Sequence, residues 1–363
     1  MDDFRGPQDR FLDYVSYDTM SDASMCGKRR PTTAGQETLL EHLRDQLEEM
    51  GLETYYGKEK VVMGTLKGSG DTPVAFMAHV DTADDVPGNG VKPMVWENYD
   101  GSDIHLDGVT IKADENPDLS LCIGDTVITS DGTTLLGADD KAGVTIIMEA
   151  VRYLAGHPEI SHPDIEVFFT PDEETGDGMS QFPYDRIRSR ICYTVDGGAE
   201  DELETECFNA ATAEVTFKGV VAHFGAARGK LRNAVVAAAA LIGMLPGSES
   251  PEATDKDYGY YCASSVSGTP AEAHAEFLIR DFTDEGFQHR IDALDAAVKA
   301  IETLYHVKAE NRVRISYRNM AAANSRSPEA VEAVYKAADK LSHRIHGTES
   351  RASPEASVRQ ERI

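Results

Sequence analysis

Phe168-Phe169-Thr170-Pro171-Asp172-Glu173-Glu174-Thr175-Gly176 joins an apolar run to three consecutive acids and a glycine. The run from Ile165 to Phe169 predicts a buried strand, and Pro171 ends it. Acids packed against the end of a buried strand repel one another unless a cation holds them. In an extended chain neighbouring side chains point to opposite sides, so Glu173 and Glu174 need not share a task. One is free to ligate a metal while the other serves as a base. A solvated acidic loop is the competing reading, and it describes most runs of this kind.

Further strand-like stretches on either side end in similar chemistry. Val74 to Val80 is apolar on both faces, as a central strand of a covered sheet should be, and carries His79-Val80-Asp81 at its end. Ile191 to Val195 ends at Asp196-Gly197-Gly198. Val61 to Leu66 and Asp125 to Thr129 also read as strands. Leu135-Leu136-Gly137-Ala138-Asp139-Asp140-Lys141-Ala142-Gly143 opens a buried helix that runs to Leu154. Residues 7–17 suit a short helix. Thr33-Ala34-Gly35-Gln36 has the form of a capping box; Leu39, Leu40, Leu43, Leu47 and Met50 follow at helical spacing, and Gly51 closes the helix. Residues 84–125 read as a polar excursion with hairpin content near 104 and 109. Strands alternating with helices predict an α/β fold with a mainly parallel sheet sandwiched by helices. Ligands in such sheets sit beyond the carboxyl ends of the strands. His79, Asp81, Glu173, Glu174 and Asp196 lie there, and Asp139 follows its strand after a short turn.

The rhythm changes near Asn209. Strand Ala213 to Lys218, helix Asn233 to Met244, strands Tyr261 to Ser267 and Ala273 to Phe282, helix Phe287 to Tyr305 and strand Val307 to Ile315 follow in turn. This β-α-β-β-α-β order predicts an inserted ferredoxin-like domain. The expected organisation is a first domain over 1–208 that carries the acids, an inserted domain over 209–317 and a return to the first domain over 318–347. That return includes a helix from Pro328 to Ile345. Residues 348–363 read as a disordered tail.

Composition narrows the partners. Lys and Arg number 35 against 63 Asp and Glu, a net charge of −28, which argues against nucleic acid and anionic membranes and is compatible with cation binding. Five dispersed cysteines, Cys26, Cys122, Cys192, Cys207 and Cys262, point to reduced thiols in a cytoplasm. Neither a signal peptide nor a membrane-spanning run is expected.

One histidine with several carboxylates is a donor set suited to Zn²⁺, with Mn²⁺ or Co²⁺ as substitutes. Several carboxylates in one crevice suggest two metals sharing a bridge. Each motif alone has a plainer reading. His79 fits a core histidine, Asp139 and Asp140 suit a helix N-terminus without any metal, and Asp196 suits a turn. Their order resembles the co-catalytic zinc exopeptidases related to aminoacylase and carboxypeptidase G. Within that group Ser130-Asp131-Gly132, Tyr193 to Gly198, Phe208-Asn209-Ala210-Ala211 and Ile279-Arg280-Asp281-Phe282 are closer to the peptidase T family of tripeptide aminopeptidases.

The resemblance implies roles for individual residues. His79 and Asp196 would bind one zinc, Glu174 the second, and Asp139 would bridge both. The peptide bond after Asp139 would be cis. Asp81 would orient His79, and Glu173 would be the general base. His223 would help stabilise the oxyanion, its plainer reading being a surface-loop histidine. Arg280 would hold a peptide carboxylate, its plainer reading being a pair with Asp281 or another acid. Relatives dimerise through the inserted domain, so a homodimer acting on short peptides is expected. The family's later Gly-Gly-Thr-Asp phrase and its final zinc-binding histidine have no match after Gly347, and His343 and His346 read as solvated rather than as replacements. A di-zinc aminopeptidase is therefore expected, with an impaired remnant holding one metal as the alternative and a related deacylase or dipeptidase as a further one.

Overall fold

The structure is a computed structural model that describes residues 4–198 and 201–350. Contacts divide the chain into two units, with the break between Gly197 and Gly198. The first unit holds helices α1 (Pro7–Tyr14), α2 (Ala34–Glu49) and α3 (Ala138–Gly156). Its strands are β1 (Glu53–Tyr56), β2 (Val62–Leu66), β3 (Gly70–His79), β4 (Met94–Trp96), β5 (Ile104–His105), β6 (Thr110–Ile111), β7 (Val127–Thr129), β8 (Pro163–Thr170) and β9 (Ile191–Thr194).

The main sheet has the order β1-β2-β8-β3-β9. β2 is antiparallel to β1 and β8, while β3 is parallel to β8 and β9, so four of the five strands run in one direction. Side-chain alternation gives the sheet two faces. Val167 and Phe169 of β8 and Ala78 of β3 meet Leu39, Leu40, Leu43 and Leu47 of α2 and Val144, Ile147, Met148 and Val151 of α3. Phe168, on the opposite face, packs edge-on against Phe182 with ring centroids 5.4 Å apart. Burying a side chain of this size is worth about 1.5–3 kcal/mol, so the register of β8 is held from both sides. In that register His79 lies opposite Thr170, and the Val195 N–H bonds the Met77 carbonyl beyond β9. The ends of β3, β8 and β9 thus sit level. The polar excursion forms two small antiparallel pairs, β4 with β7 and β5 with β6.

The second unit contains β10 (Glu202–Cys207), β11 (Asn209–Lys218), α4 (Ala234–Met244), β12 (Tyr260–Gly268), β13 (Glu272–Asp281), α5 (Asp284–Tyr305), β14 (Lys308–Tyr317), α6 (Ala321–Asn324), α7 (Pro328–Lys340) and β15 (His346–Ser350). Its four-stranded sheet has the order β12-β13-β11-β14 with every neighbour antiparallel, which is the ferredoxin-like arrangement. Ala211, Ala213, Val215 and Phe217 alternate toward the helices, as do Ala273, Ala275, Phe277 and Ile279. They pack on Ala234, Ala237, Ala238 and Leu241 of α4 and on Phe287, Leu294, Val298 and Ile301 of α5. Asn233 and Thr283 cap these two helices, their side chains accepting from Val235 N and Gly286 N.

Three local expectations are corrected, and one strand appears that was not expected. Thr33 stands at the N-cap of α2 without a capping bond, because Gln36 turns its amide toward Thr32 and Asp172 as well as Thr33. Strand β1 is present although its four residues carry no clear alternation. The helix expected to reach Ile345 ends at Lys340, and Ser342 takes a left-handed φ of 56° just beyond it. Thr348 to Ser350 are not irregular: β15 pairs in parallel with β10, and such pairing needs no apolar pattern on a short edge. The rest of the expected tail, 351–363, lies outside the described residues.

Phe277 is fully buried in the second unit. Phe277→Ala should lower the unfolding free energy of that unit by about 3–5 kcal/mol in urea titrations followed by circular dichroism. A loss below about 1 kcal/mol would contradict the packing described here.

Candidate metal centre

His79 is the last residue of β3 and is buried, with a relative exposure of 1%. Its Nδ1 lies 3.0 Å from the Asp81 carbonyl and 3.3 Å from Asp81 Oδ1. Both oxygens can only accept, so Nδ1 carries a hydrogen; with a cation bound, the neutral ring would direct its Nε2 lone pair the other way. Nε2 lies 3.0 Å from Asp139 Oδ1 and 3.6 Å from Asp196 Oδ2. Among the described residues, His79, Asp139 and Asp196 form the group whose ligand atoms all lie within 4.8 Å of one another.

Local chain geometry delivers each member. The peptide between Asp139 and Asp140 is cis, in agreement with the implied bond. Helical dihedrals in α3 start only after Asp140, which accepts from Gly143 N at 3.1 Å and from His79 N at 3.2 Å. Asp140 therefore caps the helix and ties it to the end of β3, while Asp139 is left at the surface. Gly143 is required for the third member. A Cβ there would stand 1.8 Å from the Val195 carbonyl, so only glycine lets the chain beyond β9 descend onto α3 and bring Asp196 near Asp139.

Asp81 is wholly buried and its carboxylate holds the acidic turn. Oδ1 accepts from Glu173 N and Oδ2 from Glu174 N, each at 3.0 Å. This corrects the expectation of an extended glutamate pair. Glu173 to Gly176 form a turn closed by Gly176 N on the Glu173 carbonyl, because one carboxylate recruits two successive amides. Asp172 points away from the centre, to Thr32 and Gln36. Its structural part, like that of Asp140, carries no signal in the sequence beyond being one acid of a run.

Negative charge predominates at the centre. Burial pulls His79 down, but hydrogen bonds to Asp139 and Asp81 outweigh it and leave the imidazole well above its usual range. Asp139 is lowered by its bond to His79. Partial burial, with Asp139, Asp81 and Asp196 nearby, raises Glu174 to about 6. Burial and the charges of Asp139 and Asp81 raise Asp196 too. More negative charge converges here than one imidazolium offsets, and such a donor set suits a divalent cation. Glu174 feels His79, Asp139 and Asp196 electrostatically although it stands outside the tight group of three.

The remaining expected residues belong to the second unit. His223 is exposed at the start of a short 3₁₀ turn, Phe224–Ala226. Arg280 of β13 donates to the carbonyls of Ala211 and Ile279 and lies over the Tyr317 ring. Asp281, its suggested partner, is instead bonded by Arg290 at 2.9 Å. His346 begins β15, near Asp201 and Glu202.

A strand-end histidine with converging acids, on an α/β unit followed by a ferredoxin-like one, fits a metallopeptidase. Residues 205–309 match the family model for a peptidase dimerisation domain. The peptidase T of Bacillus subtilis (strain 168) is 45% identical over 304 residues, 82% of this chain and 74% of that protein. A tripeptidase from Staphylococcus aureus subsp. aureus Mu50 superposes with a TM-score of 0.76 at 18% identity, covering 98% of this chain and 86% of that one. The Bacillus subtilis YXEP protein, described as a dinuclear metal binding peptidase from the M20 family, superposes with a TM-score of 0.62 at 15% identity, covering 98% and 85%. The chain belongs to the peptidase T family. No helix among its described residues is long and apolar enough to cross a membrane.

Asp81→Asn would turn a donor against an amide that now donates to it. Zinc affinity, measured by competition with a chelator, should fall about 10–100-fold. Parent affinity in this variant would contradict the organising part given to Asp81.

Proposed function

We propose that this chain is a tripeptide aminopeptidase of the cytoplasm, working with two zinc ions. The observation that carries the reading is the polarity of His79: Nδ1 is held by Asp81 while Nε2 faces Asp139 and Asp196. In this reading His79, Asp139 and Asp196 would hold one ion, and Asp139 and Glu174 would contribute to holding the second. Imidazole with carboxylates suits Zn²⁺, and Mn²⁺ or Co²⁺ would be accepted by the same donors. The bound metals would supply an activated water and polarise the scissile carbonyl.

The chain's own groups do the rest. Glu173 takes a proton from the attacking water and later passes it to the leaving amine. Asp81 fixes the tautomer of His79 and, through the two amides, the place of Glu173. His223 donates to the developing oxyanion, a contribution of about 3–4 kcal/mol for a well-placed donor. Arg280 binds the carboxylate of a short peptide. Two copies pair through the dimerisation unit, where α4 leaves Val235, Val236 and Met244 exposed. The alternative of an impaired remnant has no support among the relatives.

Glu173→Gln should keep its metal and lose about 10²–10⁴-fold in tripeptide turnover, whereas Glu174→Gln should lose metal as well. Metal content after dialysis and the rate of release of the N-terminal residue separate the two. Equal loss of metal from both variants would contradict this division of labour.

A further inference from the structure

The Glu173–Glu174 turn is gripped from its far side by Arg30, Thr32 and Gln36, none of which belongs to the metal centre. Asp172 is wholly buried and stands at a left-handed φ of 63°. Its Oδ1 accepts from Thr32 N at 2.9 Å, from Thr32 Oγ1 at 2.6 Å and from Gln36 Nε2 at 3.0 Å. Its own N–H donates to Gln36 Oε1 at 3.1 Å, so the contact with α2 is reciprocal. Arg30, nearly buried, closes the other end of the turn. Nη1 donates to the Asp177 carbonyl and Nη2 to the Gly178 carbonyl, each at 2.7 Å, while Nε bonds the Glu59 carbonyl at 2.8 Å. Thr175 Oγ1 and Asp177 N both return to the Asp172 carbonyl at 3.0 Å, which makes residues 172–178 one closed loop.

Asp81 fixes the amides of Glu173 and Glu174 from one side. The grip on Asp172, Asp177 and Gly178 fixes the backbone before and after them from the other. We propose that Thr32, Gln36 and Arg30, acting on Asp172 and on the loop carbonyls, are positioning residues that set where the side chains of Glu173 and Glu174 stand. Bonds to a buried carboxylate are among the stronger ones, and one acceptor oxygen gathering three donors leaves the turn little freedom. A base displaced by about 1 Å from its proton costs up to about 10²-fold in rate, and partners that orient a ligand are worth about 10–100-fold in metal affinity. The inference rests on the metal-dependent peptidase reading for its kinetic consequence and on the geometry alone for its structural one.

Three variants of the full chain test it. Asp172→Asn keeps a residue that tolerates the left-handed region but replaces one acceptor by a donor. Thr32→Val removes the hydroxyl and keeps the shape, and Thr32→Ser puts the hydroxyl back. Amide exchange across 172–178 in the metal-free chain should quicken at least tenfold in Asp172→Asn and Thr32→Val, while the far-UV circular dichroism spectrum of the folded chain stays that of the parent. With zinc bound, kcat on a tripeptide should fall about 10–100-fold with KM within about threefold, the weaker-bound zinc should be released more readily, and Thr32→Ser should recover most of both. Unchanged exchange and unchanged kcat in Thr32→Val would overturn the proposal, as would equal damage in Thr32→Ser. Should the parent chain not cleave peptides at all, the function reading fails, and the exchange and zinc-release measurements still decide the clamp.

Discussion

One buried carboxylate organises the first unit's functional edge. Asp81 sits beyond β3 with no exposure to solvent, where an unpaired charge would cost several kcal/mol. It is compensated by two backbone amides from the turn after β8 and by Nδ1 of His79. Hydrogen bonds to a charged group are worth about 1.5–3 kcal/mol each, so this pairing stabilises as well as arranges. The same contacts that satisfy the Asp81 carboxylate aim Nε2 of His79 toward Asp139 and Asp196. Stability of the edge and readiness of the site are one arrangement.

A second constraint is steric. The close approach of Gly143 to the Val195 carbonyl lets the chain after β9 lie against the start of α3. Asp140 caps that helix and reaches back to His79 N, so neighbouring acids divide their work, one structural and one facing the site. The ends of β3, β8 and β9 and the start of α3 are thereby tied at three points. None of these ties involves a long flexible side chain, and such ties lose little entropy on forming.

Much of this was legible in the residues. Apolar strands that stop at His79-Val80-Asp81, at Glu173-Glu174 and at Asp196 announce a parallel α/β sheet with chemistry at its carboxyl edge, and the alternation of Ala211 to Phe217 announces the ferredoxin-like sheet. The turn at Glu173 was not legible, because its shape comes from Asp81, about ninety residues earlier in the chain. The pattern Thr33 to Gln36 suggested a local cap, but Gln36 is drawn to Asp172, 136 residues further along the chain, and tertiary demand overrides the local motif. Strands β1 and β15 escaped notice because short edge strands need no clear periodicity. Arg280 stood beside Asp281 in sequence, yet side chains of neighbouring strand residues face apart, and Asp281 is bonded to Arg290 instead.

The central claim is that His79 offers Nε2, with Asp139 and Asp196, to a metal ion that Asp81 helps to place. Anomalous diffraction at the zinc edge from crystals grown with zinc tests it most directly. The account predicts a peak about 2.0–2.2 Å from His79 Nε2 and from a carboxylate oxygen of both Asp139 and Asp196, with a second peak shared between Asp139 and Glu174. Zinc on the Nδ1 side of His79, or no zinc among these residues at saturating concentration, would contradict it.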